Sequence, residues 1–267
     1  MEKELKLLLG DFLVYQIKYL KTKWFPSEQQ KKKIKQETEE IGKRKLFYGS
    51  FVNENDLCFD VGANVGNRVL PLLELGAKVV AVEPQKNCYK ILKQKFGKRI
   101  EIVAKGLGES ECTKDFHISN ANTISSFSDE WINSVKNNRF KGYNWDKVVK
   151  VEMTTLDKLI EKYGLPAFIK IDVEGYELDV LKGLTKPVKI ISFEYTVPEQ
   201  IHKAIECIEQ IEKNDVNIEC NYSVGESMDL ALEGWLSVEK MKEHIVTKEF
   251  AGTGVGDIYV RIKTNRT

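Results

Sequence analysis

The chain has 267 residues, 42% of them hydrophobic and 30% charged, and its 41 basic and 40 acidic side chains leave a net charge of +1. That composition suits one globular domain with an appendage, and it argues against a disordered or fibrous chain. The near-balance of charge argues against a globally basic nucleic-acid binder, so no nucleic-acid partner is expected.

The charge is unevenly spread along the chain. Residues 1–48 carry 12 basic and 7 acidic side chains, and the remainder carries 29 and 33. In this arm Leu5, Leu8, Leu9, Phe12, Leu13, Ile17 and Leu20 recur at helical spacing, with Pro26 as a stop and Lys31-Lys32-Lys33 opening a second, polar helical stretch. The arm is expected to be a helical pair packed on the body or on a second copy of the chain. A helix lying on an anionic membrane is the alternative, weakened by the interleaved Glu2, Glu4 and Asp11. No apolar run approaches the ~20 residues of a membrane span, and the Met-Glu-Lys-Glu opening lacks the basic-then-apolar order of a secretory leader. Five scattered cysteines without a CxxC pair suit reduced thiols in a cytoplasmic protein. With only three histidines, they leave no zinc ligand set and no metal is expected.

From residue 57 short apolar runs alternate with amphipathic stretches. Strands are predicted at Leu57–Val61, Lys78–Val82, Ile100–Ala104, Ala167–Asp172 and Val188–Tyr195. Helices are predicted at Val69–Leu75 and Cys88–Phe96. Thr154-Thr155-Leu156-Asp157 supplies a hydroxyl cap before another helix, and Pro198 suits a first helical position ahead of Ile201, Ile205, Ile208 and Ile211. Two more strands, Val216–Tyr222 and Ile258–Ile262, flank a helix at Val238–Ile245 and the glycine-rich 252–256. This alternation implies an α/β fold with a doubly wound, mostly parallel sheet. Residues 117–147 break the rhythm; they are polar, Asn-rich and carry Trp131 and Trp145, and they read as an inserted loop beside an acceptor pocket.

The most informative stretch is Asp60-Val61-Gly62-Ala63-Asn64-Val65-Gly66, directly after the first strand. Gly62 allows a sharp turn, and Gly66 allows close approach of a ligand or helix. The second strand closes with Glu83-Pro84, where a carboxylate can accept both hydroxyls of a ribose. A nicotinamide or flavin dinucleotide wants GxGxxG to seat its pyrophosphate, and this chain has no middle glycine. S-adenosylmethionine has no phosphate, and its sulfonium suits the nearby Asp60. It is the favoured cofactor, with contacts expected from Asp60, Gly62, Ala63, Asn64, Gly66, Glu83, Pro84 and Asp172. An NAD-type oxidoreductase and a non-catalytic binding protein on the same fold are the alternatives.

A second unusual segment is Lys170-Ile171-Asp172-Val173-Glu174-Gly175-Tyr176-Glu177. Strand alternation puts Lys170, Asp172 and Glu174 on one side. A lysine in a central strand demands a carboxylate partner. Together with Phe59-Asp60-Val61-Gly62-Ala63-Asn64-Val65-Gly66, Val82-Glu83-Pro84 and Thr155-Leu156-Asp157, this segment resembles the FkbM-type family of S-adenosylmethionine-dependent methyltransferases. The resemblance covers about residues 55–196. It implies a Rossmann-like, class I methyltransferase sheet of seven strands with a reversed last strand. It also implies O-methylation of a hydroxyl on a sugar, polyketide or similar small molecule. The domain is then 49–267, with 1–48 as the arm.

Three features depart from the family pattern: Pro71 inside the helix after the glycine loop, Ala104-Lys105-Gly106 where an Asn-x-Ala-like stretch is expected, and the arm itself. Methyl transfer to a hydroxyl needs in-line alignment and a home for one proton. Asp172, Glu174 and Glu194 are the candidate catalytic carboxylates, and His117 is a weaker candidate base. A divalent cation across the three carboxylates is conceivable. Acceptor specificity is expected from 117–147 and 223–236.

Overall fold

The computed structural model describes residues 27–263, so the predicted helix at Leu5–Leu20 and its Pro26 stop lie outside the described residues. The chain divides into two compact units, Met1–Lys43 and Arg44–Thr267. Helix α1 (Glu28–Tyr48) is polar along residues 28–43, with Lys31 paired to Glu28 at 2.7 Å. Its last residues, Phe47 and Tyr48, are buried in the larger unit, where their rings meet Tyr259 and Phe168.

In the larger unit β1 (Leu57–Val61), β2 (Lys78–Val82) and β3 (Glu101–Val103) run parallel, as do β7 (Phe168–Ile171) and β8 (Ile190–Thr196). With β9 (Ile218–Val224) and β10 (Val255–Ile262) they form a seven-stranded sheet in the order β3-β2-β1-β7-β8-β10-β9. Strand β10 is antiparallel to both of its neighbours. The sheet is the expected α/β, doubly wound class with a reversed last strand. β1, β2 and β7 are buried nearly throughout because helices cover both faces, which is why they read as unbroken apolar runs. One core layer contains Phe59, Val80, Ile169 and Phe193. The layer on the other face contains Val79, Phe168 and Tyr259.

Between the strands, α2 (Val69–Glu74) is short, and Pro71 lies in its first turn. The chain leaves the glycine loop through turns, and the helix starts only at Val69. Helix α3 (Lys86–Phe96) buries Cys88, Leu92 and Phe96 at helical spacing.

Three expectations need correction. The third strand stops at Val103, because Gly106–Leu107 (β4) leaves the main sheet and pairs with β6 (Lys147–Thr154). Strand β6 also pairs with β5 (Thr113–Ile118), so the predicted 117–147 loop is framed by a second, three-stranded sheet. Its signature is the alternation of β6, where Val151 and Met153 are buried between exposed Lys150 and Glu152. Inside the frame, α4 (Asp129–Val135) buries Trp131, and Ser128 caps the helix by accepting the Trp131 amide at 3.0 Å.

The third correction concerns Pro198. It sits in a turn whose Val197 amide donates to the Gly254 carbonyl, and α7 (Ile201–Glu212) begins three residues later. Helix α5 (Leu156–Tyr163) has the expected cap, with the Thr155 hydroxyl accepting the Lys158 amide at 3.1 Å. The remaining helices are α6 (Glu177–Lys182), α8 (Val238–Ile245) and α9 (Lys248–Ala251). All five cysteines are unbridged, and among the described residues no helix is long and apolar enough to cross a membrane.

Candidate active site

A cavity of about 410 Å³ opens above the carboxyl ends of β1, β2 and β7 and beside β8, where open α/β sheets bind ligands. Its floor is the turn after β1. Gly62 has φ +84°, and a Cβ there would lie 1.8 Å from the Asp172 carbonyl oxygen, so only glycine lets the β1 turn touch the β7 turn.

Glu83 closes β2. Its Oε2 accepts the Asn64 amide at 2.8 Å and its Oε1 accepts the Gln85 amide at 2.7 Å, which fixes the carboxylate against the glycine turn. Burial pushes it up to about 7, although both amides pull the other way. The insertion reaches the same turn: the Asn122 carbonyl accepts from Asn64 Nδ2 at 3.3 Å and from Gln85 Nε2 at 3.0 Å.

The opposite wall comes from β7 and β8. Asp172 follows β7, and Glu174 sits in the turn beyond it with φ +56°. Strand β8 carries Glu194. One carboxylate oxygen from each of the three lies within 4.8 Å of the other two. Burial, then the charge of Asp172, holds both Glu174 and Glu194 well above the usual carboxylate range. Behind them Lys170 is buried; burial favours the neutral amine, yet Asp172 at 3.2 Å and Asp257 at 2.8 Å keep the ammonium well above its ordinary range.

Glu177 ties the turn together by accepting the Val173 and Gly175 amides at 3.0 and 3.2 Å, and burial pushes it up to about 7. Gly175 has no space for a Cβ, which would lie 2.3 Å from Trp131. The motif therefore shapes this wall and seats the insertion against it.

Of the residues expected at the cofactor, Gly62, Ala63, Asn64, Glu83, Pro84 and Asp172 line the cavity, as do the candidate catalytic Glu174 and Glu194. Asp60 and Gly66 are not on its wall. Asp60 lies beneath the floor, 1% exposed, with Oδ2 making no hydrogen bond; burial pushes it up to about 6 against the pull of Arg68 and Lys170. Gly66 instead makes room for α3, since a Cβ there would meet the Phe96 ring at 2.4 Å. His117 pairs with Asp129 at 3.1 Å and does not line the cavity.

The sequence reading missed Arg68, Gln85, Asn122 and Glu226. Arg68 lines the cavity and holds Glu226 at 2.6 Å. One signal was available for it, an arginine two residues past the glycine motif. Glu226 could not be paired with it from sequence, because 158 positions separate them.

Residues 60–224, from the glycine turn to the end of β9, match the methyltransferase FkbM domain. The chain belongs to the FkbM methyltransferase family. Among curated proteins it is 28% identical over 160 residues to the hexuronic acid methyltransferase AglP of Haloferax volcanii, a match covering 57% of this chain and 59% of that protein. Among solved structures the chain resembles an O-methyltransferase from Bacillus cereus in complex with SAH. That likeness has a TM-score of 0.40 and 12% identity, and it covers 85% of this chain and 81% of the other. A TehB-like SAM-dependent methyltransferase from Corynebacterium glutamicum gives a TM-score of 0.41 and 10% identity, over 83% and 88% of the two chains. The family match spans both walls of the cavity and stops short of Glu226, β10 and Asp257.

Proposed function

We propose that this FkbM family member transfers a methyl group from S-adenosylmethionine to a hydroxyl of a small acceptor, with a sugar as the first class to test. The observation that carries the proposal is the charge of the cavity. Five carboxylates line it (Glu83, Asp172, Glu174, Glu194 and Glu226) against two cations, Arg68 and Lys105. Burial raises the proton affinity of Glu83, Glu174 and Glu194, but a cation bound beside them favours their charged form, so this wall suits a sulfonium and disfavours a pyrophosphate. The helix after the glycine turn is also six residues long and starts late, a weak seat for phosphate. Both features favour S-adenosylmethionine over a dinucleotide.

The residues present fit that cofactor. Glu83, already held by two backbone amides, keeps lone pairs for a ribose diol. Gly62, Ala63 and Asn64 form a turn without bulk, and Asp172 stands beside it for the amino-acid tail. Bound S-adenosylmethionine supplies an activated methyl group on a sulfonium. The protein must then align the acceptor and take one proton. Alignment of two bound reactants supplies about 7–11 kcal/mol, and a general base about 10²–10⁴-fold in rate, so positioning dominates. Glu194 and Glu174 are the assigned bases, since burial and then crowding by like charge raise their affinity for a proton, and Asp172 orients the acceptor hydroxyl. The insertion at 117–147 and the loop at 223–236 shape the acceptor side. Residues 49–267 are taken as the catalytic domain and 1–48 as an arm for self-association. AglP, named for a hexuronic acid, makes hexuronic acids and neutral hexosides the first acceptors to try.

Calorimetric titration with S-adenosylhomocysteine and with NAD tests the cofactor. S-adenosylhomocysteine should bind and NAD should not; the reverse result overturns the proposal. A mass-spectrometric screen with isotopically labelled S-adenosylmethionine against hexosides and hexuronic acids then tests the acceptor. Label in a methyl ether of the sugar is expected. Methylation of amines or of the carboxylate alone would sink the hydroxyl assignment.

A further inference from the structure

Arg68 lies two residues past Gly66, lines the cavity, and has a side chain only 12% exposed. A guanidinium carries its N–H donors in a fixed planar fork. Among the described residues this one makes a single side-chain hydrogen bond, from Nη2 to Glu226 Oε1 at 2.6 Å, and its buried Nε makes none. Glu226 therefore holds the fork from one side, while its other oxygen faces Arg44 of α1 at 3.4 Å. Leaving most donors of a largely buried cation unmatched costs free energy. The acceptor that matches a guanidinium fork is a carboxylate, which takes two parallel N–H bonds.

The place of Arg68 says which carboxylate. Its charge acts on Asp60 beneath the glycine turn and on Lys170 in β7, so it stands on the β1 and β7 side of the cavity. Glu83, the ribose partner proposed above, closes β2 on the other side of that turn. A cofactor held by its ribose at Glu83 and laid along the 62–64 turn points its amino-acid tail toward Arg68. That tail bears one ammonium, for which Asp172 is at hand, and one carboxylate, which the acidic wall repels. The second cation of the wall, Lys105, follows β3 at the far edge of the sheet and is paired with Glu152 at 3.2 Å. We propose that Arg68 binds the carboxylate of the cofactor's amino-acid tail through two of its N–H groups, and so distinguishes S-adenosylmethionine from adenosine compounds that lack that group. This assignment rests on the cofactor reading above. Glu226, which steadies the guanidinium, lies outside the residues matched to the family.

The test is calorimetric titration of the full chain with S-adenosylhomocysteine and with its decarboxylated analogue, which lacks that one group. The wild type should prefer S-adenosylhomocysteine by about 10- to 100-fold. Arg68→Met should erase this preference by weakening S-adenosylhomocysteine, while the analogue binds no worse than it does to wild type. A residue needed only for the fold would weaken both alike. Arg68→Lys separates contact from charge: it keeps the cation, so a charge acting at a distance would keep the whole preference. An ammonium cannot make the paired bonds, and the contact predicts a preference about three- to tenfold smaller. Contact is also read directly in wild type labelled with ¹⁵N at its arginines, with Arg68→Lys to assign the signal. S-adenosylhomocysteine should shift the Arg68 side-chain N–H signals and slow their exchange with water; the analogue should leave that exchange as it is.

An Arg68→Met protein that folds and keeps the wild-type preference overturns the proposal. Should that variant not fold, Arg68→Lys and the exchange measurement decide, and a full preference or an unchanged exchange rate is the overturning result. Loss of turnover with an acidic sugar, with both nucleosides bound as in wild type, would give Arg68 to the acceptor and also overturn it. The failures are separable. A wild type that binds neither nucleoside sinks the cofactor reading, whereas binding of both with equal affinity sinks the role of Arg68 alone.

Discussion

At the β2 end of the cavity Glu83 is fastened by two backbone amides and stands apart from the acidic cluster. At the β7 and β8 end Glu174 and Glu194 are crowded by Asp172 and by each other. The same carboxylate is thus used in two ways. Where amides fix its oxygens it becomes a rigid acceptor suited to holding a diol. Burial raises proton affinity at both ends; where like charges crowd the carboxylate as well and no amides hold it, it becomes suited to chemistry. The two ends meet where the Gly62 turn packs against the Asp172 backbone, whose amide donates to the Val61 carbonyl at 2.9 Å.

The largest expected effect separates reaction from recognition. Glu194→Gln should lower kcat by about 10²-fold or more with the acceptor that the screen identifies, and should leave S-adenosylhomocysteine affinity within about threefold. A large loss of that affinity would erase the distinction between the two ends. Next, Gly62→Ala attacks the joint itself. A positive φ and a clash with backbone should cost on the order of 3 kcal/mol, read by chemical denaturation. A loss under about 1 kcal/mol would mean that the turns can separate freely.

The wall also leaves a mark on stability. Glu177 is raised from 4.5 to about 7, so between those values the folded chain binds more protons than the unfolded one. Its contribution is fully present below the unfolded pKa and is lost as pH rises through about 7, a change of about 3 kcal/mol. The melting temperature should therefore fall between pH 5 and pH 8. Glu177→Gln, whose side-chain carbonyl can still accept both amides, should flatten part of that fall; an unchanged slope would remove Glu177 as a cause.

At the recognition end Glu83→Ala should weaken S-adenosylhomocysteine about 10- to 100-fold, as expected for charge-assisted bonds of about 1.5–3 kcal/mol. Unchanged affinity would contradict the ribose assignment. The smallest effect is expected from Gln85→Ala. It removes one link between the glycine turn and Asn122, at about 0.5–1.5 kcal/mol, and calorimetry should show a loss of tenfold or less.

Most of the main sheet was legible because buried parallel strands are short apolar runs separated by capped amphipathic helices. Glu83 was legible because it follows such a run at a fixed distance from the glycine turn. The second sheet was not, although β6 alternates cleanly, because its polar face and the asparagines around it resemble a loop. Asp60 and Gly66 show the limit of a motif. Both were expected at the cofactor, but burial directs one beneath the cavity floor and the other toward Phe96.

The sequence by itself determined the strand and helix order, the glycine turn, the acidic end of β2 and the need of Lys170 for a carboxylate, since each follows from local periodicity or from the cost of burying charge. Only the tertiary structure decided that Asp257 would share that lysine, that Glu226 would meet Arg68, and that Asn122 would dock on the glycine turn. Those contacts join segments far apart in the chain. Which distant side chains meet is fixed by how the strands are ordered in the sheet and how the loops pack over its edge, and no local pattern encodes that.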